Sequence, residues 1–189
     1  MNELVWSTTR FDISLATPKV MGIVNLTPDS FSDGGVLDTN AGIARAAQAL
    51  KDGADILDLG AESTRPGATP LAQADEMARL LPVLKAVLAW GVPVSVDTYK
   101  PAVMRAALDM GADIINDVWA LRWRDADGKN NDTGVSVVAA HARCGVCLMH
   151  MHGTPETMQT HPMSEVAHAM PGAVAGFLIE RAESLLTQG

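Results

Sequence analysis

Five short segments concentrate the side chains able to do chemistry. The first, M-G-I-V-N-L-T-P-D-S-F-S-D-G-G, occupies residues 21–35. Its apolar front half ends at Leu26, and Thr27 to Gly35 is built from residues that favour turns. Asn25 offers a hard carbonyl oxygen and Asp29 and Asp33 offer carboxylates, a donor set that Mg²⁺ accepts beside substrate phosphates. An ordinary connecting loop fits these residues equally well. The second segment, G-A-E-S-T-R-P-G, occupies residues 60–67. Ser63, Thr64 and Arg65 bring hydroxyls and a forked guanidinium suited to a cluster of pyrophosphate oxygens. An exposed arginine paired with a surface carboxylate is the plain alternative.

The third segment is Ser95-Val96-Asp97-Thr98 and the fourth Ile115-Asn116-Asp117. Asp97 closes an apolar run, where a carboxylate can accept hydrogen bonds from the ring N–H and amino groups of a heterocycle. Asn116 has both donor and acceptor edges. A helix cap or a core hydrogen bond competes with both readings. The fifth segment, Leu148 to Pro155, reads L-M-H-M-H-G-T-P. As a strand it places His150 and His152 on one face and Met149 and Met151 on the other. An H-x-H pair can bind metal, but no third ligand is evident, and Met149 is expected to line a pocket. Cys144 and Cys147 read as small residues where a helix turns into a strand, not as a redox pair.

These segments need elements to position them. Short apolar runs alternate with longer helical patterns. The strands are expected near Val20–Leu26, Asp55–Leu59, Val92–Asp97, Asp113–Val118 and Gly145–His150. Helices are expected over Ala41–Lys51 with Asn40 as N-cap, Leu71–Trp90, Pro101–Met110 and Val135–Ala142. A last helix runs to Leu186, with a break near Pro171-Gly172. The polar stretch Arg122–Gly134 reads as an exposed loop. Gly53-Ala54-Asp55-Ile56 recurs as Gly111-Ala112-Asp113-Ile114, the same helix-stop and strand-start grammar twice. Alternation with apolar strands implies a parallel sheet. Asn25, Asp58, Asp97 and Asn116 each fall near the C-terminal end of a different strand. That favours an α/β barrel of the (β/α)₈ type, whose strand ends ring one mouth, over an open sheet with a single switch point.

The 189 residues fit one domain, and a net charge of −8 argues against a nucleic-acid partner. No apolar run is long enough to span a membrane, and Met1-Asn2-Glu3-Leu4 does not open a signal peptide, so a cytosolic protein is expected.

The five segments in this order resemble the dihydropteroate synthase family, over nearly all of Val20 to Leu186. That resemblance implies a (β/α)₈ barrel, usually a homodimer. It implies condensation of 6-hydroxymethyl-7,8-dihydropterin pyrophosphate with p-aminobenzoate, in competition with sulfonamides. Pyrophosphate leaves first, and the amine then attacks a pterin methylene cation. By motif position, Asn25 and Asp33 are implied at Mg²⁺, with Asp33 closing over the metal and helping to stabilise the cation. Thr64 and Arg65 are implied at phosphate, Phe31 and Pro66 as walls of the p-aminobenzoate pocket. Asp97, Asn116 and Met149 are implied at the pterin ring. The chain carries about the first five βα units and ends where the family enters its sixth strand. A further pterin-binding aspartate, a lysine and the family's last basic segments are not in it, and a monomer of this sequence alone is expected to be unstable. A pterin-binding methyltransferase domain and a non-catalytic pterin-holding module are the alternatives. The pyrophosphate-suited residues of the first two segments favour the synthase over the methyltransferase.

Overall fold

The computed structural model describes residues 3–27, 39–63, 68–124, 133–153 and 169–188. Among these described residues, seven strands and five helices follow in the order β1 (Val5–Ser7), β2 (Asp12–Ser14), β3 (Met21–Asn25), α1 (Thr39–Lys51), β4 (Ile56–Gly60), α2 (Gln73–Leu88), β5 (Val94–Asp97), α3 (Pro101–Asp109), β6 (Ile114–Asp117), α4 (Gly134–Ala139), β7 (Gly145–Leu148) and α5 (Met170–Leu186). Strands β3 to β7 form one parallel sheet in sequence order, with a helix on each crossover. Five βα units in simple succession are the beginning of the expected barrel.

The sheet has two unlike faces, and the register separates them. Val24, Leu59, Val96 and Ile115 align across β3 to β6. They pack with Leu80, Val83, Leu84, Val103 and Met104 of the helices in the main core. Residues one step along each strand point the other way. Low on that inner face Met21, Ile56 and Ile114 meet Trp6, Phe11, Ile13 and Leu15 of the β1–β2 hairpin in a second apolar cluster. Gly145 makes room for the hairpin, because a Cβ there would lie 3.0 Å from Ile114 and 3.1 Å from the Trp6 ring nitrogen.

The hairpin has little sequence signature, since three residues per strand give too short an alternation to stand out. It is tied down by Arg10. That guanidinium lies 2.6 Å from Asp113 and donates at 2.9 Å to the carbonyls of both Leu88 and Val92. Asp113 is fully buried. The repeated Gly-Ala-Asp-Ile segments fold alike. Gly53 and Gly111 take φ of 104° and 103°, values that a side chain disfavours. Each following Asp then clamps the start of a neighbouring strand. Asp55 N–H donates to Val20 O while Val20 N–H donates to Asp55 Oδ2, both at 2.8 Å. Asp113 N–H donates to Val94 O at 2.9 Å and Val94 N–H to Asp113 Oδ2 at 2.8 Å.

Some boundaries differ from expectation. Helix α1 reaches back to Thr39, so Asn40 lies in its first turn and is not the N-cap. Helix α5 runs unbroken because Pro171 falls in its first turn, where a missing N–H costs nothing. Strand β7 stops at Leu148, two residues early, so His150 and His152 share no strand face. His150 instead packs edge-on against Phe177 with ring centroids 5.0 Å apart.

Candidate active site

The C-terminal ends of the five parallel strands bring one residue each into a single rung. Asn25 pairs with Gly60, Gly60 with Asp97, Asp97 with Asn116 and Asn116 with Cys147. All five face the inner side of the sheet, above the hairpin cluster. One layer below lie Asp58 and Ser95, also in register with each other. Along the strands the inner face therefore passes from apolar to polar. A Cβ at Gly60 would lie at ordinary contact distance, 3.5 Å, from Asp97 Oδ2.

The polar layer is densely acidic and incompletely satisfied. Asn116 Nδ2 donates to Asp58 Oδ2 at 3.1 Å. The core hydrogen bond weighed against a ligand role for Asn116 is thus present, and it leaves the amide oxygen facing away from Asp58. Asp58 Oδ1, Ser95 Oγ and Asp97 Oδ1 are buried with no partner in hydrogen-bond geometry. Burial raises the Asp58 carboxyl, against the stabilising presence of the Ser95 hydroxyl and the Asn116 amide. Asp97 is pushed up to about 7, first by burial and then by the charges of Asp58, Asp117, Glu76 and Glu62. Asp117 points to the other side. Burial raises it to about 6 although the N–H groups of Trp119 and Leu121 donate to it at 2.8 and 2.7 Å. Those bonds hold Ala120 and Leu121 at φ of 50° and 60°, an unusual left-handed pair without glycine.

Asn25 is exposed at the mouth, and Arg45 Nη1 donates to its carbonyl at 3.1 Å. Arg79 reaches from α2 in the same manner, to Ala61 O at 3.4 Å. The side-chain amide oxygen of Asn25 is a hard donor of the kind Mg²⁺ accepts, and no group of three or more His, Cys, Asp or Glu among the described residues could hold a metal ion. Met149 is 40% exposed just beyond β7, and its N–H donates to Asp117 O at 3.3 Å. Neither cysteine is bonded to the other. Burial raises both thiols, Cys144 to about 12, which keeps them protonated and unreactive. Phe31, Asp33, Thr64, Arg65 and Pro66 lie outside the described residues.

Against this geometry stand three likenesses. A family model described as pterin binding enzyme matches residues 21–189. The chain belongs to the pterin-binding enzyme family. Within that family it is 49% identical, over its whole length, to 64% of the dihydropteroate synthase of Neisseria meningitidis serogroup B. It matches the crystal structure of Burkholderia cenocepacia dihydropteroate synthase complexed with 7,8-dihydropteroate at a TM-score of 0.81, with 39% identity over 99% of this chain and 60% of that one. The Xanthomonas albilineans enzyme with 4-aminobenzoic acid matches at 0.80, with 39% identity over 98% of this chain and 63% of that one. The chain thus spans a little under two thirds of the length of these relatives. No helix among the described residues is long and apolar enough to cross a membrane.

A second polar group in the structure is not foreshadowed by any motif. Lys100 lies buried between Glu62 and Glu76, bonded to Glu62 and 2.6 Å from Glu76 Oε2. Thr98 Oγ1 donates to Glu76 Oε1 at 2.6 Å, and Tyr99 Oη donates to Glu62 Oε1 at 2.7 Å. Glu62 stands inside G-A-E-S-T-R-P-G, yet its partners follow β5, and such long-range pairing leaves no local pattern.

Proposed function

We propose that this chain carries the pterin-binding half-site and part of the pyrophosphate site of a dihydropteroate synthase. The natural protein then condenses 6-hydroxymethyl-7,8-dihydropterin pyrophosphate with p-aminobenzoate to 7,8-dihydropteroate and pyrophosphate. The observation that carries the reading is the rung of Asn25, Asp97 and Asn116 above Asp58. A buried carboxylate oxygen of Asp97 without a partner suits the N–H donors of a pterin edge. The four acids whose fields converge on Asp97 create a negative potential. That potential favours a cation delocalised over the bound ring and disfavours nothing neutral.

In this reading Asp97 and Asn116 hold the ring and Met149 packs beside it. Asn25 and Asp33 would hold Mg²⁺, which when bound would neutralise pyrophosphate charge. Thr64 and Arg65 bind phosphate oxygens, Asp33 helps stabilise the cation, and Phe31 and Pro66 wall the p-aminobenzoate pocket. Expulsion of water by the surrounding loops protects the cation until the amine attacks. The same reading makes the natural protein a cytosolic homodimer.

Pyrophosphate release by the natural full-length protein, supplied with Mg²⁺ and both substrates, tests this. Release that requires p-aminobenzoate is expected. Pterin binding with no release under any condition overturns it, and methyl transfer from a methylated pterin would then mark the methyltransferase alternative.

A further inference from the structure

We propose that Glu62 is a positioning residue: clamped by Lys100 and Tyr99, it ties the end of β4 to the segment that follows the ring-binding Asp97 on β5. The inference rests on the synthase reading above. Three donors converge on the Glu62 carboxylate: Lys100 Nζ, Tyr99 Oη at 2.7 Å and Leu71 N–H at 3.0 Å. In the sequence, Glu62 and Leu71 stand on either side of Thr64 and Arg65, the phosphate-binding residues of the reading above. Tyr99 and Lys100 follow Asp97 by two and three residues. Their own segment is pinned from behind, since Thr98 Oγ1 donates to Glu76 and also accepts from Lys100 N–H at 3.3 Å. The Glu62 and Lys100 side chains are only 6% and 5% exposed, so water competes little for these bonds. The ammonium sits 4.6 Å over the Tyr99 ring, which holds its third face.

One side chain thereby joins the ends of β4 and β5, beside which the reading above puts the phosphate-binding and ring-binding residues. A ligand that touches only one of these segments is indifferent to the join. A ligand that spans both benefits from their fixed separation, as the second contact becomes intramolecular. That difference separates a positioning role from a merely structural one.

The test is calorimetric, on the natural full-length protein with Mg²⁺. Three probes are used: pterin pyrophosphate, 6-hydroxymethylpterin without pyrophosphate, and inorganic pyrophosphate. Glu62→Ala is the main variant, because Lys100 keeps Glu76 as its partner. Lys100→Met is avoided, since it strands two buried carboxylates. Glu62→Ala is expected to weaken pterin pyrophosphate about tenfold while each fragment stays within about twofold. Glu62→Gln, which keeps an acceptor for Tyr99 and Leu71, is expected to recover most of the loss. An equal loss for all three probes, or no loss for the joined one, overturns the inference. Wild-type protein that binds the joined ligand and releases no pyrophosphate instead defeats the synthase reading and leaves this clamp to be judged by the three affinities alone.

Discussion

Asp113 and Asp97 sit on adjacent strands of the same sheet, at opposite ends, and their surroundings could hardly differ more. Asp113, just before β6, is fully buried and fully satisfied. Arg10 pairs with it, and the N–H groups of Arg10 and Val94 donate to it at 2.9 and 2.8 Å. Asp97, at the end of β5, has a buried oxygen with no partner and four acids acting on it. One end of the strands spends its polar groups on holding the fold, and the other withholds them. The lesson is that burial of a carboxylate says little by itself. Whether its oxygens are answered from within the chain tells structure from site.

That contrast can be broken from the structural end first. Asp113→Ala strands the Val94 N–H and removes the hairpin's anchor, and it is expected to cost about 3 kcal/mol of stability, read by denaturant titration. Pterin affinity of the protein that remains folded should be unchanged. A loss of affinity without a loss of stability would erase the distinction between the two ends.

Asp97→Asn probes the other end and should do the reverse. Affinity for a pterin is expected to fall by about two orders of magnitude, as a good polar partner becomes a mismatched one. Stability should change with pH in a defined direction. The folded-state value of Asp97, about 7, lies above the ordinary 3.8, so the folded form holds a proton that the unfolded chain releases. Stability is therefore lost as pH rises from about 4 to about 7 and is level above. The Asn variant should show a shallower decline over that window and gain on the wild type at pH 8 relative to pH 5. Parallel curves would mean that Asp97 is not strained by its neighbours.

The smallest effects sharpen the comparison within the structural end. Gly53→Ala and Gly111→Ala place a side chain at almost the same positive φ in two copies of one turn. Each is expected to cost about 1–2 kcal/mol, and the two melting shifts should agree closely. Unequal shifts would show that the repeated turns carry unequal loads.

Much of this could be read in the residues. Asn25, Asp97 and Asn116 stand out as lone polar groups ending apolar runs, and the alternation of strands and helices placed those ends together. The repeated Gly-Ala-Asp-Ile likewise folded into twin clamps. The β1–β2 hairpin escaped notice because its strands are three residues long. The Arg10–Asp113 and Lys100–Glu62 pairs escaped for a different reason: each joins segments far apart in the chain, and no local periodicity announces a long-range ion pair. Asp58 was legible as a polar residue near a strand end, but not its depth. Only the register shows that it stands beneath Asn116.

The hairpin also divides the labour of one surface. Trp6, Phe11, Ile13 and Leu15 cover the lower end of the inner face with apolar side chains. The upper end of the same strands is left to Asp97 and Asn116. Two short strands near the start of the chain thereby set where the greasy half of that surface stops and the polar half begins.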